Sequence, residues 1–205
     1  MQKKNITQFS NAAFHIHTFR CRHAENIPDE AYIQEAITLG ADSIWFTDHA
    51  PFEGDAFQNR MLYCELDEYL NSMAVLKAKY ADTIPVFAGL EIEYLDSFDR
   101  RGSYEQLVED KRVDLLLLGQ HMCEISPDKY TFNLPREERK DEYKYLAKSM
   151  VSGIKTGYFD VVAHPDRIFK RNKKMWDEDM AQAAEDVLLA AADANIPIEK
   201  NMESI

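Results

Sequence analysis

The chain has 205 residues, with 24 basic against 36 acidic side chains, a formal net charge of −12 and 45% hydrophobic residues. That composition describes one soluble globular domain with enough apolar material for a core, and it excludes wholesale disorder. It also argues against nucleic acid as a partner, since affinity for the phosphate backbone rests on Lys and Arg displacing counterions, and no run of about 18 apolar residues offers a membrane span.

In chain order, the apolar and β-branched runs predict strands at 12–18, 43–49, 84–94, 113–121, 160–164 and 196–199. Between them the helical periodicity predicts helices at 28–39, 66–80, 103–110, 141–156 and 177–194. The first opens on Pro28 and acidic residues and stops at Gly40; the fourth stops at Gly157. Strands alternating with helices imply βα units around a parallel sheet, with no internal domain boundary. Such a series can close into a barrel or stay an open doubly wound sheet. The segment after the first strand, HTFRCRHAEN, has no glycine, so the phosphate-cradling loops of open sheets are missing and the reading leans toward a barrel. In a barrel the active site forms at the C-terminal ends of the strands.

All six histidines fall at those ends or in the loops beside them. His15 and His17 close the first predicted strand, His23 follows in its loop, and His49, His121 and His164 end the second, fourth and fifth. Glu91 takes the matching place on the third. Residues two apart on a strand share a face, so His15 and His17 can chelate one ion. Imidazoles with a carboxylate suit transition metals, and seven candidate ligands are too many for one ion. Two divalent transition-metal ions are therefore the minimum expected, and three are compatible with the count. Metal pairs about 3.5–4 Å apart serve hydrolysis of phosphate esters and amides. The start, MQKKNITQFS, lacks the apolar stretch of a signal peptide, and three widely spaced cysteines fit reduced thiols, so the expected setting is the cytoplasm.

The motifs HIHTFRCRH at 15–23, FTDHAP at 46–51, GLEIEY at 89–94, LGQH at 118–121 and VVAHPDR at 161–167 resemble those of the PHP family, polymerase and histidinol phosphatase. The resemblance is strongest to its histidinol-phosphatase branch and runs from about residue 14 to 198. It implies a distorted (β/α)7 TIM-like barrel that hydrolyses phosphoesters with two to three divalent ions, Zn, Mn or Fe, at its mouth. Carried onto this chain, it puts His15 and His17 on one ion, Glu91 as a bridge to a second completed by His121 and His164, and His23 with His49 on a third. Glu93 ranks below Glu91 as the bridging acid. Asp48 and Asp166 are expected to orient neighbouring imidazoles. Family members continue to a seventh strand bearing Asp-x-His, whereas this sequence stops at Ile205. The resemblance therefore implies a single domain truncated at its C-terminus, the alternative being a natural short form.

Arg20, Arg22 and Arg167 flank the histidines, and one or two of them are expected to hold the substrate phosphate. The run PREERKDEYK at 135–144 reads as a solvated helix start, and FKRNKK at 169–174, the only basic run, reads as a solvated loop, with an anionic partner as the alternative. The implied activity is metal-dependent hydrolysis of a small-molecule phosphomonoester, with histidinol phosphate the leading substrate, Glu91, His23 and Asp48 in catalytic roles, and no nucleic-acid or membrane partner. A protein-tyrosine phosphatase of the same family and a non-catalytic metal-binding regulatory module are the alternatives.

Overall fold

The structure, a computed structural model, describes residues 8–127, 129–172 and 176–200. The last two lysines of the basic run, 173 and 174, and most of the MQKKNITQFS start lie outside the described residues. Two compact units are present: one takes in the described residues up to Glu91 together with Asp110–Leu116, the other Ile92–Glu109 and the described residues from Leu117 onward.

The first unit is built on parallel strands β1 (Ala12–Ile16), β2 (Ser43–His49) and β3 (Val86–Ile92, its last residue assigned to the second unit), in that order. Every residue of β2 and β3 is buried, which explains why SIWFTDH and VFAGLEI read as near-continuous runs rather than alternating ones. Their register sets His49 opposite Glu91. A side chain at Gly89 would put its Cβ 3.1 Å from the Phe46 carbonyl oxygen and 3.2 Å from that of Leu115, so only glycine lets these backbones approach. The Tyr69 hydroxyl donates to the Gly89 carbonyl at 2.8 Å. Helix α1 (Asp29–Thr38) carries Asp29 and Glu30 in its first turn, and α2 (Leu66–Lys79) buries Tyr69, Leu70, Met73 and Leu76 at helical spacing. The start of the fourth strand joins β3 through Asp114, whose N–H donates to the Ala88 carbonyl and whose carboxylate accepts from Ala88 N–H.

In the second unit, the end of β4 (Leu115–Leu118) pairs in parallel with β7 (Val161–Val162). The strand expected at 196–199 is reduced to one bridge between Val162 and Ile198. Between β4 and β7 lies an antiparallel hairpin, β5 (Glu124–Ser126) and β6 (Lys129–Tyr130), that the sequence reading left out. Helices α3 (Asp96–Asp99), α4 (Ser103–Glu109), α5 (Glu142–Thr156) and α6 (Glu178–Asp193) complete the unit, with a 3-10 helix over Pro165–Asn172. Gly157, at φ 75°, caps α5, and the Asp177 side chain accepts from Met180 N–H to cap α6. Among the described residues no helix is long and apolar enough to cross a membrane.

Candidate metal centre

In the first unit the sequence-predicted ligands converge. His15 does not lie on a regular strand: its φ is 61°, and the β1–β2 register slips between Ala13 and Ile16. The simple two-residue alternation expected for His15 and His17 is thus replaced by a local irregularity, the kind of backbone cost that clusters at functional sites. Glu91 is 1% exposed, and its Oε2 stands 3.1 Å from Nε2 of His15, 3.3 Å from Nε2 of His17 and 3.3 Å from Nδ1 of His49. Ligands at about 2.0–2.1 Å from a tetrahedral zinc are about 3.3–3.4 Å from one another, and the donors of His15, His17 and Glu91, all within 4.8 Å of one another, fit a shared cation. The donor chemistry fits as well, a carboxylate among imidazoles being a transition-metal set.

His17 also belongs to a second group. Its ring centroid is 4.6 Å from that of His49 and 5.1 Å from that of His23, and donor atoms of these three histidines lie within 4.8 Å of one another. His23 is solvent-exposed, whereas His49 is buried. One exposed and one buried imidazole around a common neighbour leave an approach from solvent.

Asp48 is fully buried. Its oxygens accept from Thr18, through the backbone N–H and the hydroxyl, both at 2.5 Å, and from the Cys21 thiol at 3.0 Å, and that sulfur lies 3.4 Å from Nδ1 of His17. Cys21 Sγ in turn accepts from His49 N–H at 2.9 Å. Burial and the adjacent Asp48 carboxylate push the Cys21 thiol far above its ordinary pKa, so it stays protonated as a donor. Asp48 therefore fastens the segment between His17 and His23 to β2, a positioning task.

Two of the three candidate arginines are held by carboxylates. Arg20 is 3% exposed; its Nη1 meets both oxygens of Asp29 at 2.9 Å and its Nε meets Glu68 at 3.0 Å. Burial alone would lower the Arg20 pKa, but the hydrogen bonds of Glu68 and Asp29 outweigh it and hold the guanidinium charged. Arg22 grips Glu65 in a fork at 2.6 and 2.7 Å. Sequence reading could not foresee either pair, whose members lie more than 40 positions apart except for Asp29.

In the second unit His121 and His164 come together with ring centroids 5.0 Å apart, and His121 Nδ1 is 3.1 Å from Glu93 Oε1. Glu93, ranked below Glu91 from the sequence, thus has its own imidazole. Its main chain is anchored by Tyr104, whose hydroxyl donates to the Glu93 carbonyl and accepts from Leu95 N–H, both at 2.8 Å. His164 has φ 25°, and its N–H donates to Glu199 at 3.2 Å. Asp166 and Arg167 are both exposed. Arg167 lines a cavity of about 690 Å³ that also contains His121.

Residues 13–203 match the PHP domain. This chain belongs to the PHP domain family. Membership agrees with the expectation drawn from HIHTFRCRH and the four motifs after it. The chain is 32% identical over 132 residues to a histidinol-phosphatase of Bacillus subtilis, a match covering 58% of this chain and 49% of that protein. It therefore spans about half the length of that curated relative. Among solved structures, a chain from Listeria monocytogenes described as a histidinol phosphatase superposes with TM-score 0.74 at 17% identity, covering 93% of this chain and 82% of its own. The histidinol phosphate phosphatase of Lactococcus lactis, solved with zinc, L-histidinol and phosphate, gives 0.70 at 21% identity, covering 93% and 73%. Both show the fold, the α/β TIM-like class expected from the sequence.

Proposed function

We propose that this PHP domain carries out metal-dependent hydrolysis of a small phosphomonoester, with histidinol phosphate as the leading substrate. The observation that carries the reading is one buried carboxylate oxygen facing three imidazoles, with a fourth histidine beside them. The names of the Bacillus relative and of the Lactococcus structure support the substrate. His15, His17 and Glu91 would hold one divalent ion, and His23 with His49, beside His17, a second; His121 and His164 are proposed as ligands of another. Zn, Mn and Fe all suit these donors. Such ions, when bound, lower the pKa of water toward 7 and offset charge developing on the phosphoryl oxygens.

The chain's own residues supply the rest. Glu91 neutralises positive charge among the imidazoles and fixes their separation. His23, exposed at the edge of its cluster, is placed to return a proton to the departing alkoxide. Arg167 binds the phosphoryl dianion through its planar fork. Asp48 holds the His17–His23 segment in place through Thr18 and Cys21. The cytoplasm is the proposed setting, supported by free thiols at Cys21, Cys64 and Cys123.

Protein purified without chelator should carry at least one equivalent of Zn, Mn and Fe combined by elemental analysis, and should release phosphate from histidinol phosphate. Less than about half an equivalent overturns the metal assignment. Full metal loading with no phosphate release overturns the activity.

A further inference from the structure

The sequence shows two charge runs, 135–144 and 169–174, that the metal centre does not use. In the structure both line one cavity of the second unit. Arg136, Arg139 and Lys140 come from the first, Lys170 and Arg171 from the second, and Arg167 precedes the latter. Glu142 is the one carboxylate in the lining, and it is engaged by Arg171. Glu137, Glu138 and Asp141, on the same stretch of chain, do not line the cavity, so the runs are sorted by sign. Among the described residues no carboxylate pairs with Arg136, Lys140, Arg167 or Lys170. In a chain of net charge −12 this is a concentrated positive surface, and at about 690 Å³ it has the size of a small-molecule pocket.

The charge exceeds what one phosphoryl group requires. Of six cations, one is matched by Glu142 and two match a phosphate dianion, which leaves three. Like charges gathered in a concave, partly enclosed site repel unless an anion joins them. We infer that this cavity binds a second anionic group of the substrate, so that phosphomonoesters whose alcohol bears a carboxylate or a second phosphate form a further substrate class. The phosphoryl group would lie toward His121 and Arg167, and the second anion among Arg136, Lys140 and Lys170. The substrate-class part of this inference rests on the phosphomonoesterase reading; the anion site itself does not.

A matched pair of esters tests it. Glycerol 3-phosphate and 3-phosphoglycerate differ only in a hydroxymethyl group replaced by a carboxylate. The net charge of the protein opposes the more anionic ester, so any preference for it is local. Calorimetry on the metal-loaded protein should show 3-phosphoglycerate binding at least about tenfold more tightly, as charge-assisted contacts would give, and the double variant Lys140→Ala/Lys170→Ala should cut that ratio below about threefold. Both lysines are exposed, so the variant should fold, which its far-ultraviolet circular dichroism checks. Equal affinity for the two esters, or a preference that the double variant keeps, overturns the proposal. Selective binding that the variant loses, with phosphate released from histidinol phosphate but from neither of these esters, supports the anion site and overturns the substrate class; release from none of the three counts against the phosphomonoesterase reading.

Discussion

Replacing Glu91 by Gln isolates the charge at the centre of the histidine cluster. The side chain is 1% exposed, so water cannot take the place of the lost oxygen, and Oε2 faces three imidazole nitrogens at 3.1 to 3.3 Å. Groups that merely orient metal ligands cost about 10–100-fold in affinity when removed. Loss of an anionic ligand itself should therefore weaken divalent-metal binding by at least about 100-fold, or about 2.8 kcal/mol. Folding should hardly change. The Glu91 carbonyl still accepts from Ala50 N–H at 2.8 Å, the amide has the same shape, and one buried charge is removed. The assay is a zinc titration against a chelating dye, paired with urea unfolding in chelator, where the variant should stay within about 1 kcal/mol of the parent. Glu93→Gln serves as the comparison, since Glu93 faces His121. Metal affinity within about threefold of the parent in Glu91→Gln, a shift under about 0.7 kcal/mol, would refute the assignment.

Other expectations follow from the packing. Arg20→Ala should cost about 3–5 kcal/mol in urea unfolding, because it strands the buried carboxylate of Asp29; Glu68 is 64% exposed and adds little. Gly153→Ala should destabilise by about 1–2 kcal/mol: its Cβ would sit 2.8 Å from Tyr94 Cβ, and overpacking exceeds the gain of about 1 kcal/mol in helix propensity. Cys64, exposed, should react with a thiol reagent at neutral pH while buried Cys123 does not, as mass spectrometry of the labelled peptides would show. Burial raises the Cys123 thiol from 9.0 to about 12, so between those values the unfolded chain loses this proton first and the native state is destabilised as pH rises. Cys123→Ala should flatten the alkaline fall in urea midpoint; an unchanged slope would remove this cause.

How far the sequence revealed these features depends on the range of the forces involved. Strand β2 appears at Ser43–His49 as expected, because its buried apolar run is a local signal, and β3 is trimmed from 84–94 to Val86–Ile92. The β5–β6 hairpin was missed because EIS and KY are short and largely polar. His164 was placed beside a strand end, but its φ of 25°, like that of His15, comes from tertiary packing that no periodicity encodes. The histidines were legible as a set because strand ends are predictable from hydrophobicity. The tie between Arg20 and Glu68 was not, since any exposed carboxylate is an equal candidate in one dimension. The same holds for the basic cavity, whose two halves lie about 30 positions apart in the chain.

The Thr18–Asp48–Cys21 knot bears on how quickly ions are exchanged. It ties the segment between His17 and His23 to β2 through protein groups alone, so the conformational entropy of arranging those imidazoles is already spent when the chain folds. Capture of an ion then requires stripping its hydration shell but no ordering of the chain. One divalent metal should replace another on the native protein, at a rate set by water leaving the incoming ion and by departure of the resident one. In zinc fingers, by contrast, ion binding and folding are a single event.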